Sequence, residues 1–157
     1  MSLEDIHLID RRLIEARVVI PLLKAFAEEI GLDKAKEVLT KHNENASREF
    51  GRAAAAEHGS NTLENLAKEI AGWGAGGMME KEVLEQTENI YRFNVTRCQF
   101  AEKYKDLGFE DFGICLSCCR DEPFAEGFNP EIKFSRTKTI MEGAEICDFV
   151  YEIEVEE

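Results

Sequence analysis

Two stretches of the C-terminal half alternate apolar and polar residues: YRFNVT at residues 91–96 and CDFVYEI at residues 147–153. A period of two is typical of a strand that buries one face and exposes the other. Between these stretches, spaced apolar residues indicate a further strand, at Ile132, Phe134 and Ile140. Because Glu142-Gly143 can form the turn of a hairpin, the sequence predicts an antiparallel sheet made of one strand and a later β-hairpin.

The residues before position 72 have helical periodicity instead. Apolar residues recur at steps of three and four from Ile6 to Ile30, which predicts one long helix. Pro21 predicts a kink or a break within it, and Gly31 predicts its end. The apolar stripe is broad enough either for packing in the core or for a seam between two copies, so a homodimer is one expectation.

Two further helices are predicted in this half. Asp33 can cap the second helix, and His58-Gly59 ends it. Its inner face is predicted to carry Val38, His42, Ala46, Phe50 and Ala53. Asn61 and Glu64 resemble a capping box that opens a third helix. The apolar face of that helix carries Leu63, Leu66, Ala67 and Ile70.

The glycine-rich stretch GWGAGG at residues 72–77 predicts either a connector or a loop whose backbone approaches a ligand. After residues 91–96 we expect two helices: one with Cys98, Ala101 and Tyr104 on one face that ends at Gly108, and a short one from Glu110 to about Cys119. Further breaks are expected at Pro123, Gly127 and Pro130.

The predicted class is therefore α+β, with N-terminal helices packed on a small antiparallel sheet and a strand–helix–helix–hairpin order in the C-terminal half. We expect one domain over residues 1–157, which divides into a helical half (1–71), a glycine-rich loop (72–80) and an α+β half (81–157) that carries the candidate site.

The composition makes some classes of binding partner unfavourable. The formal net charge is −13, which disfavours nucleic acids and anionic membranes because both require clustered Lys and Arg. No apolar run reaches the roughly 18 residues of a membrane span, and the first residues lack the pattern of a signal peptide. The five cysteines are odd in number, which favours reduced thiols and a cytoplasmic location.

Cys115-x-x-Cys118 has the spacing of a redox or metal motif. A structural zinc site usually has four ligands, however, and no second CxxC completes this one. Cys98, Cys118 and Cys147 could form an alternative zinc site, while each cysteine could equally be a small buried apolar side chain. We expect no resident metal and no cofactor.

Two polar patterns are better candidates for chemistry. At a spacing of three, Cys118 and Asp121 share a helix face, where a thiol and a carboxylate could act as nucleophile and base. Asp121 could instead be a turn residue. Arg136 offers a planar fork for a carboxylate, and Thr137 and Thr139 offer hydroxyl groups, although an exposed polar strand would look the same.

These patterns belong to a series of short motifs that are spread over about sixty residues. In chain order the motifs are RCQFAE (97–102), LG (107–108), CxxD (118–121), GFNP (127–130), RTKT (136–139), Gly143 and CDF (147–149). This C-terminal half resembles the L-2-amino-thiazoline-4-carboxylic acid hydrolase family. The helical half matches only in its general plan of helices and a glycine–tryptophan loop.

The resemblance implies a small anionic substrate and a ring-opening hydrolysis, in which water adds at the amidine-like carbon and the C–S bond opens to give N-carbamoyl-cysteine. For this chemistry Arg136 is the candidate for binding the substrate carboxylate, and Asp121 and Glu102 are the candidate acids or bases. Cys118 is the candidate nucleophile, with Cys98 and Cys147 as alternatives that could also contact substrate. Thr137, Thr139 and Asn129 could hydrogen-bond the ring.

A second resemblance is to small-ligand domains of the vinyl-4-reductase type, which are sensors rather than hydrolases. In that interpretation the cysteines bind a metal or line an apolar pocket, and Arg136 is structural. An enzyme should bring Asp121, Arg136 and a cysteine to one polar cavity, whereas a sensor should have a larger apolar pocket or a cysteine metal site.

Overall fold

The computed structural model describes residues 6–154, and its N-terminal half is helical. Its three helices are α1 (Leu8–Ile30), α2 (Leu32–His58) and α3 (Leu63–Trp73). Gly31 and Gly59 adopt positive φ angles of 85° and 71°, which glycine tolerates without strain, and so end α1 and α2 where predicted. In the described part of the chain, no helix combines the length and apolar character needed to cross a membrane.

α1 runs through Pro21, so the predicted break is absent, and the alternative of a kink stays a prediction. Two other local predictions in this half are wrong. No side chain caps α2, so Asp33 is not its cap. The cap of α3 is Thr62, whose Oγ1 accepts a hydrogen bond from the Asn65 amide at 3.3 Å, one residue later than predicted. The apolar face predicted for α3 is confirmed, since its four residues are all buried.

The inner face of α2 is displaced by about one residue from the prediction. Val38 and Phe50 are 54% and 59% exposed. The buried residues are instead small or polar: Ala35, Asn43, Ser47, Gly51 and Ala54. The side chains on this face are small because the backbone of α2 packs directly against the backbone of a later helix, and larger side chains have no room there.

The sheet has four antiparallel strands in the order β1-β2-β4-β3, which confirms the α+β class. They are β1 (Met79–Gln86), β2 (Ile90–Cys98), β3 (Ile132–Ser135) and β4 (Cys147–Ile153). The central pair β2 and β4 carries the predicted alternation, and Phe93 pairs with Phe149 in the register. Sequence analysis missed β1, because this edge strand is charged and lacks a regular alternation of buried and exposed residues.

The segment between β2 and β3 contains α4 (Gln99–Asp106), α5 (Gly113–Leu116) and α6 (Asp121–Phe128), with single 3₁₀ turns at 110–112 and 118–120. The predicted helix from Glu110 to Cys119 is therefore divided. α6 was missed because of Pro123, which lies in its first turn, where the absent N–H would have no partner within the helix.

Residues 136–139 do not lie within a strand, because β3 ends at Ser135. Ile140 begins a 3₁₀ turn that ends at Gly143, whose φ angle is +96°. β3 and β4 pair as the predicted hairpin, but their connection is long rather than a tight turn. Arg136, the first residue of this connection, contacts the start of α6 through Asp121.

Candidate functional site

A cavity of about 450 Å³ lies between the helices and the central strands. Residues of α1, α2 and α3 line it together with side chains of β2 and β4. Much of its wall is apolar, including Phe50, Ile70, Trp73, Phe93, Phe124 and Phe149. A cavity of this size and character is typical of a site for a small molecule.

The polar part of this cavity is built around an ion pair between Asp121 and Arg136. Asp121 is the first residue of α6, and Arg136 Nη1 donates a short hydrogen bond to its Oδ2. Arg136 Nη2 also donates to the Cys118 carbonyl oxygen at 3.1 Å. The guanidinium lies over the rings of Phe149 and Phe134, at 5.0 and 5.5 Å from their centroids. These contacts fix the arginine against the sheet and the aspartate beside it.

Burial changes the acidity of Asp121. Its side chain is 18% exposed, and that of Arg136 is 12% exposed. Removal from water raises the pKa of Asp121 to about 6, although the charge of Arg136 opposes the shift. A carboxyl group with a pKa near 6 can accept and return a proton close to neutral pH, as a general base or acid must.

Cys98, Cys118 and Cys147 also line the cavity, and no cysteine forms a disulfide. Burial raises the pKa of all three thiols, and for Cys118 the negative charge of Asp121 adds to the effect. The thiols are therefore neutral in this environment. Within residues 6–154 no set of three His, Cys, Asp or Glu side chains is arranged to hold a metal ion, so the alternative zinc site is not assembled.

The other two cysteines lie apart from the cavity lining. Cys115 is buried, and its Sγ donates to the Phe112 carbonyl oxygen at 3.1 Å. Cys119 Sγ donates to the Cys115 carbonyl oxygen at 3.3 Å. Their hydrogen bonds stay within the turn that they occupy, as expected for structural cysteines.

The structure places the remaining predicted site residues outside the cavity lining. Glu102 is exposed and pairs with Arg97 at 2.8 Å. The Asn129 side chain donates to the Asn61 carbonyl oxygen at 3.0 Å. Thr137 donates to Asp148 at 2.5 Å. Thr139 donates to Glu142 at 2.6 Å and caps the 3₁₀ turn. These contacts hold helix ends and connections in place, and the roles predicted for the four residues in catalysis or binding stay predictions.

Sequence analysis missed the arginines of the cavity. Arg11, Arg12 and Arg120 line it, and they also line a second cavity of about 410 Å³. The available signal was the polar pair Asn43 and Ser47, spaced by one helical turn on a face that must be buried. Because the predicted inner face of α2 was displaced by one residue, that pair was not included in it.

The comparison with protein families matched residues 11–151 to a family described as L-2-amino-thiazoline-4-carboxylic acid hydrolase. The match includes the helical half, where the sequence resemblance gave only a general plan. The comparison with curated proteins found no match. The family description indicates a hydrolase-like role. Because the matched residues make up most of the chain, the protein belongs to the L-2-amino-thiazoline-4-carboxylic acid hydrolase family.

Proposed function

We propose that this protein hydrolyses a small cyclic amidine that carries a carboxylate, such as 2-amino-thiazoline-4-carboxylate, to an N-carbamoyl amino acid. The main support is Asp121, a largely buried carboxyl group with a pKa of about 6 that shares a cavity with Arg136 and Cys118. Family membership favours the same reaction class. The fold alone would not favour this reaction class, since one fold can serve several functions.

The proposed reaction uses Asp121 first as a base and then as an acid. Asp121 takes a proton from water while the water oxygen forms a bond to the amidine carbon, and the electron pair of the C=N bond moves to the ring nitrogen. The remaining hydroxyl proton then moves to that nitrogen. As the carbonyl group forms, the ring C–S bond breaks, its electron pair stays on sulfur, and the proton returns from Asp121 to that sulfur. The product is a urea with a free thiol, and water is the only other reactant. Arg136 keeps Asp121 in position throughout.

Cys118 is the predicted nucleophile, and this role stays a prediction. A cysteine attacks as its thiolate, which a lowered pKa favours, but burial and Asp121 raise the pKa of Cys118 well above its usual value. This environment supports attack by water. We therefore assign Cys118 a contact with the substrate, in which its neutral thiol packs beside the reacting carbon.

A ligand-binding domain of the vinyl-4-reductase type is the second candidate function. The apolar wall of the cavity supports it, because aromatic side chains such as Trp73 and Phe124 would bind a ring without reacting with it. A binding domain would bind the same carboxylate-bearing ligand and release it unchanged.

The test is incubation of the purified protein with 2-amino-thiazoline-4-carboxylate, followed by mass spectrometry and by titration of the released thiol. We expect a product heavier by one water, with one new thiol per molecule. Asp121→Asn should lower the rate roughly 100-fold or more, the usual contribution of a general base. Binding without product would instead support the sensor.

For partners, we propose a small anionic ligand and a second copy of the chain, and no nucleic acid or membrane. A cytoplasmic location also stays a prediction. The second copy is proposed because α1 exposes Ile14, Val18, Leu22, Phe26 and Ile30, each by more than half. Side chains spaced by four form a ridge that can pack into the groove of another helix.

A further inference from the structure

The cavity contains arginines that the ion pair with Asp121 does not use. Arg11 and Arg120 line both cavities and therefore lie at the border between them. We propose that Arg120, assisted by Arg11, binds the carboxylate of the ligand, and that Arg136 does not. This inference rests on the proposed function, since it names the anionic group of the same substrate.

Arg120 is held by a buried polar network from α2. Its Nε donates to the Leu116 carbonyl oxygen at 2.9 Å, and its Nη2 donates to Asn43 Oδ1 at 2.6 Å. Asn43 is only 4% exposed and anchors itself through its Nδ2, which donates to the Cys115 carbonyl oxygen at 2.7 Å. Ser47, equally buried, donates to the Arg120 carbonyl oxygen at 2.7 Å.

This network orients the arginine without neutralising it. A guanidinium has five N–H donors, and the two contacts described above are both to neutral oxygen atoms. Burial and the nearby charge of Arg12 lower the pKa of Arg120, and the Glu15 carboxylate opposes this shift only in part. Arg12 is itself paired with Glu15 at 2.7 Å.

Arg11 adds a buried donor, its Nε, that has no hydrogen-bond partner in the described part of the chain. Buried donors without partners are rare and cost free energy. The protein has a net charge of −13, so cationic side chains with few acidic partners are unexpected at a cavity. A bound anion that accepts hydrogen bonds from both arginines and balances their charge is the best explanation.

Arg136 is less suited to this role, because its charge is already paired with the Asp121 carboxylate, whereas both described side-chain contacts of Arg120 are to neutral oxygen atoms. A ligand carboxylate placed there would also be repelled by Asp121. Arg120 precedes Asp121 in the chain, and its charge acts on the Asp121 pKa. A ring bound to Arg120 by its carboxylate would therefore have its reactive carbon close to Asp121.

The test compares 2-amino-thiazoline-4-carboxylate with 2-aminothiazoline, the same ring without the carboxylate. Calorimetric affinity and turnover are measured for the wild type, Arg120→Gln, Arg11→Gln and Arg17→Gln. Arg17 is an exposed arginine of the same helix as Arg11 and serves as the matched control. Thermal unfolding establishes that each variant is folded, and Arg11→Gln removes no protein hydrogen bond through Nε.

We expect Arg120→Gln to weaken binding of the acid roughly 10- to 100-fold, the effect of losing a charge-assisted hydrogen bond, and not to weaken binding of the ring that lacks the carboxylate. Arg11→Gln should have a smaller effect of the same kind, and Arg17→Gln none. The inference is overturned if Arg120→Gln keeps the wild-type preference for the acid, or loses affinity for both ligands equally.

The outcomes also separate this inference from the proposed function. Tight binding of the acid that depends on Arg120 but yields no product would support the arginine site and remove the hydrolase. Turnover of the acid with an unchanged preference in Arg120→Gln would support the hydrolase and remove the arginine site. A wild type that neither binds nor converts the acid would overturn both.

Discussion

Asp121 has an environment that sets both its chemistry and its effect on stability. It lies at the first position of α6, beside Arg136 and next to the apolar wall of the cavity. The pKa of a buried carboxyl rises because the charged form loses water, and Arg136 offsets only part of that loss. The same residue can therefore transfer protons near pH 6 and destabilise the fold when it is ionised.

The first prediction concerns stability against pH. The pKa of Asp121 rises from 3.8 to about 6 on folding, so the folded state binds the proton more tightly. Its contribution to stability is fully present below about pH 4 and is lost as the pH rises through about 6. We expect the free energy of unfolding of the wild type, measured relative to Asp121→Asn, to fall by about 2–3 kcal/mol over this range. Urea titrations at several pH values measure it, and a constant difference would contradict the assignment.

The second prediction concerns Cys118. If water is the nucleophile, Cys118→Ala should keep at least about a tenth of the wild-type rate, because it loses a contact and not a reacting group. Cys119→Ala is the matched control, since Cys119 lies in the same turn but not in the cavity lining. Steady-state rates measure both. A Cys118→Ala rate as low as that of Asp121→Asn, with a covalent adduct trapped on the wild type, would establish a thiol nucleophile instead.

At the scale of elements, the contact between α2 and α6 positions the site, because α6 begins at Asp121. The two backbones approach closely at Gly51 and Gly127. A Cβ atom at Gly51 would overlap the Phe124 carbonyl oxygen and lie 2.8 Å from the Phe128 nitrogen. One at Gly127 would overlap the Arg48 carbonyl oxygen. Glycine is required here by close approach, not by an unusual φ angle.

The third prediction follows from this contact. Gly51→Ala should lower the free energy of unfolding by about 1–3 kcal/mol, the usual cost of overpacking, and should reduce turnover because α6 must shift. Gly72→Ala in α3 is the control: no atom lies within 4 Å of its added Cβ, so we expect about 0.5 kcal/mol of stabilisation. Chemical denaturation measures both. Equal stability of Gly51→Ala and the wild type would show that the helices are not in close contact.

The elements also show what sequence patterns can and cannot predict. β2, β4 and the apolar face of α3 were predicted because each has one buried and one exposed face. The predicted inner face of α2 was about one residue out of phase, because closely packed helices bury small and polar residues, which carry no hydrophobic signal. β1 was missed as a charged edge strand. Asp121 and Arg136 were predicted to meet at one cavity, but their ion pair was not predicted, since it depends on where β3 ends.

At the scale of the whole molecule, the exposed ridge of α1 is the main feature without a partner in the chain. Leu22 lies at its centre, so a twofold axis through Leu22 would pair Val18 of one copy with Phe26 of the other. These features favour a second copy of the chain as the partner.

The fourth prediction is that the protein sediments as a dimer at micromolar concentration and that Leu22→Glu makes it a monomer, because a charge would be buried in the interface. Leu84→Glu is the matched control, since Leu84 is exposed by 52% on the edge strand β1. Analytical ultracentrifugation measures the mass. A monomeric wild type at high concentration would remove this proposal without affecting the site.

The positions of the arginines at the border of the two cavities depend on the whole fold. Arg11 is brought there by α1, Arg120 by the turn before α6, and Asn43 by α2. No local pattern links these three residues, which are widely separated in the sequence. This is why sequence analysis assigned the carboxylate to Arg136 of the RTKT stretch, although Arg120 lies within the CxxD stretch.

The central claim, that Asp121 is the base of a hydrolytic site, is tested most directly by the pH dependence of kcat/KM for 2-amino-thiazoline-4-carboxylate. For the wild type we expect kcat/KM to rise through about pH 6, where Asp121 loses its proton, and then to level off. Asp121→Asn should be roughly 100-fold slower or more, without this inflection. A wild-type profile that is flat between about pH 5 and 7, or an Asp121→Asn variant with the wild-type rate and profile, would contradict the account.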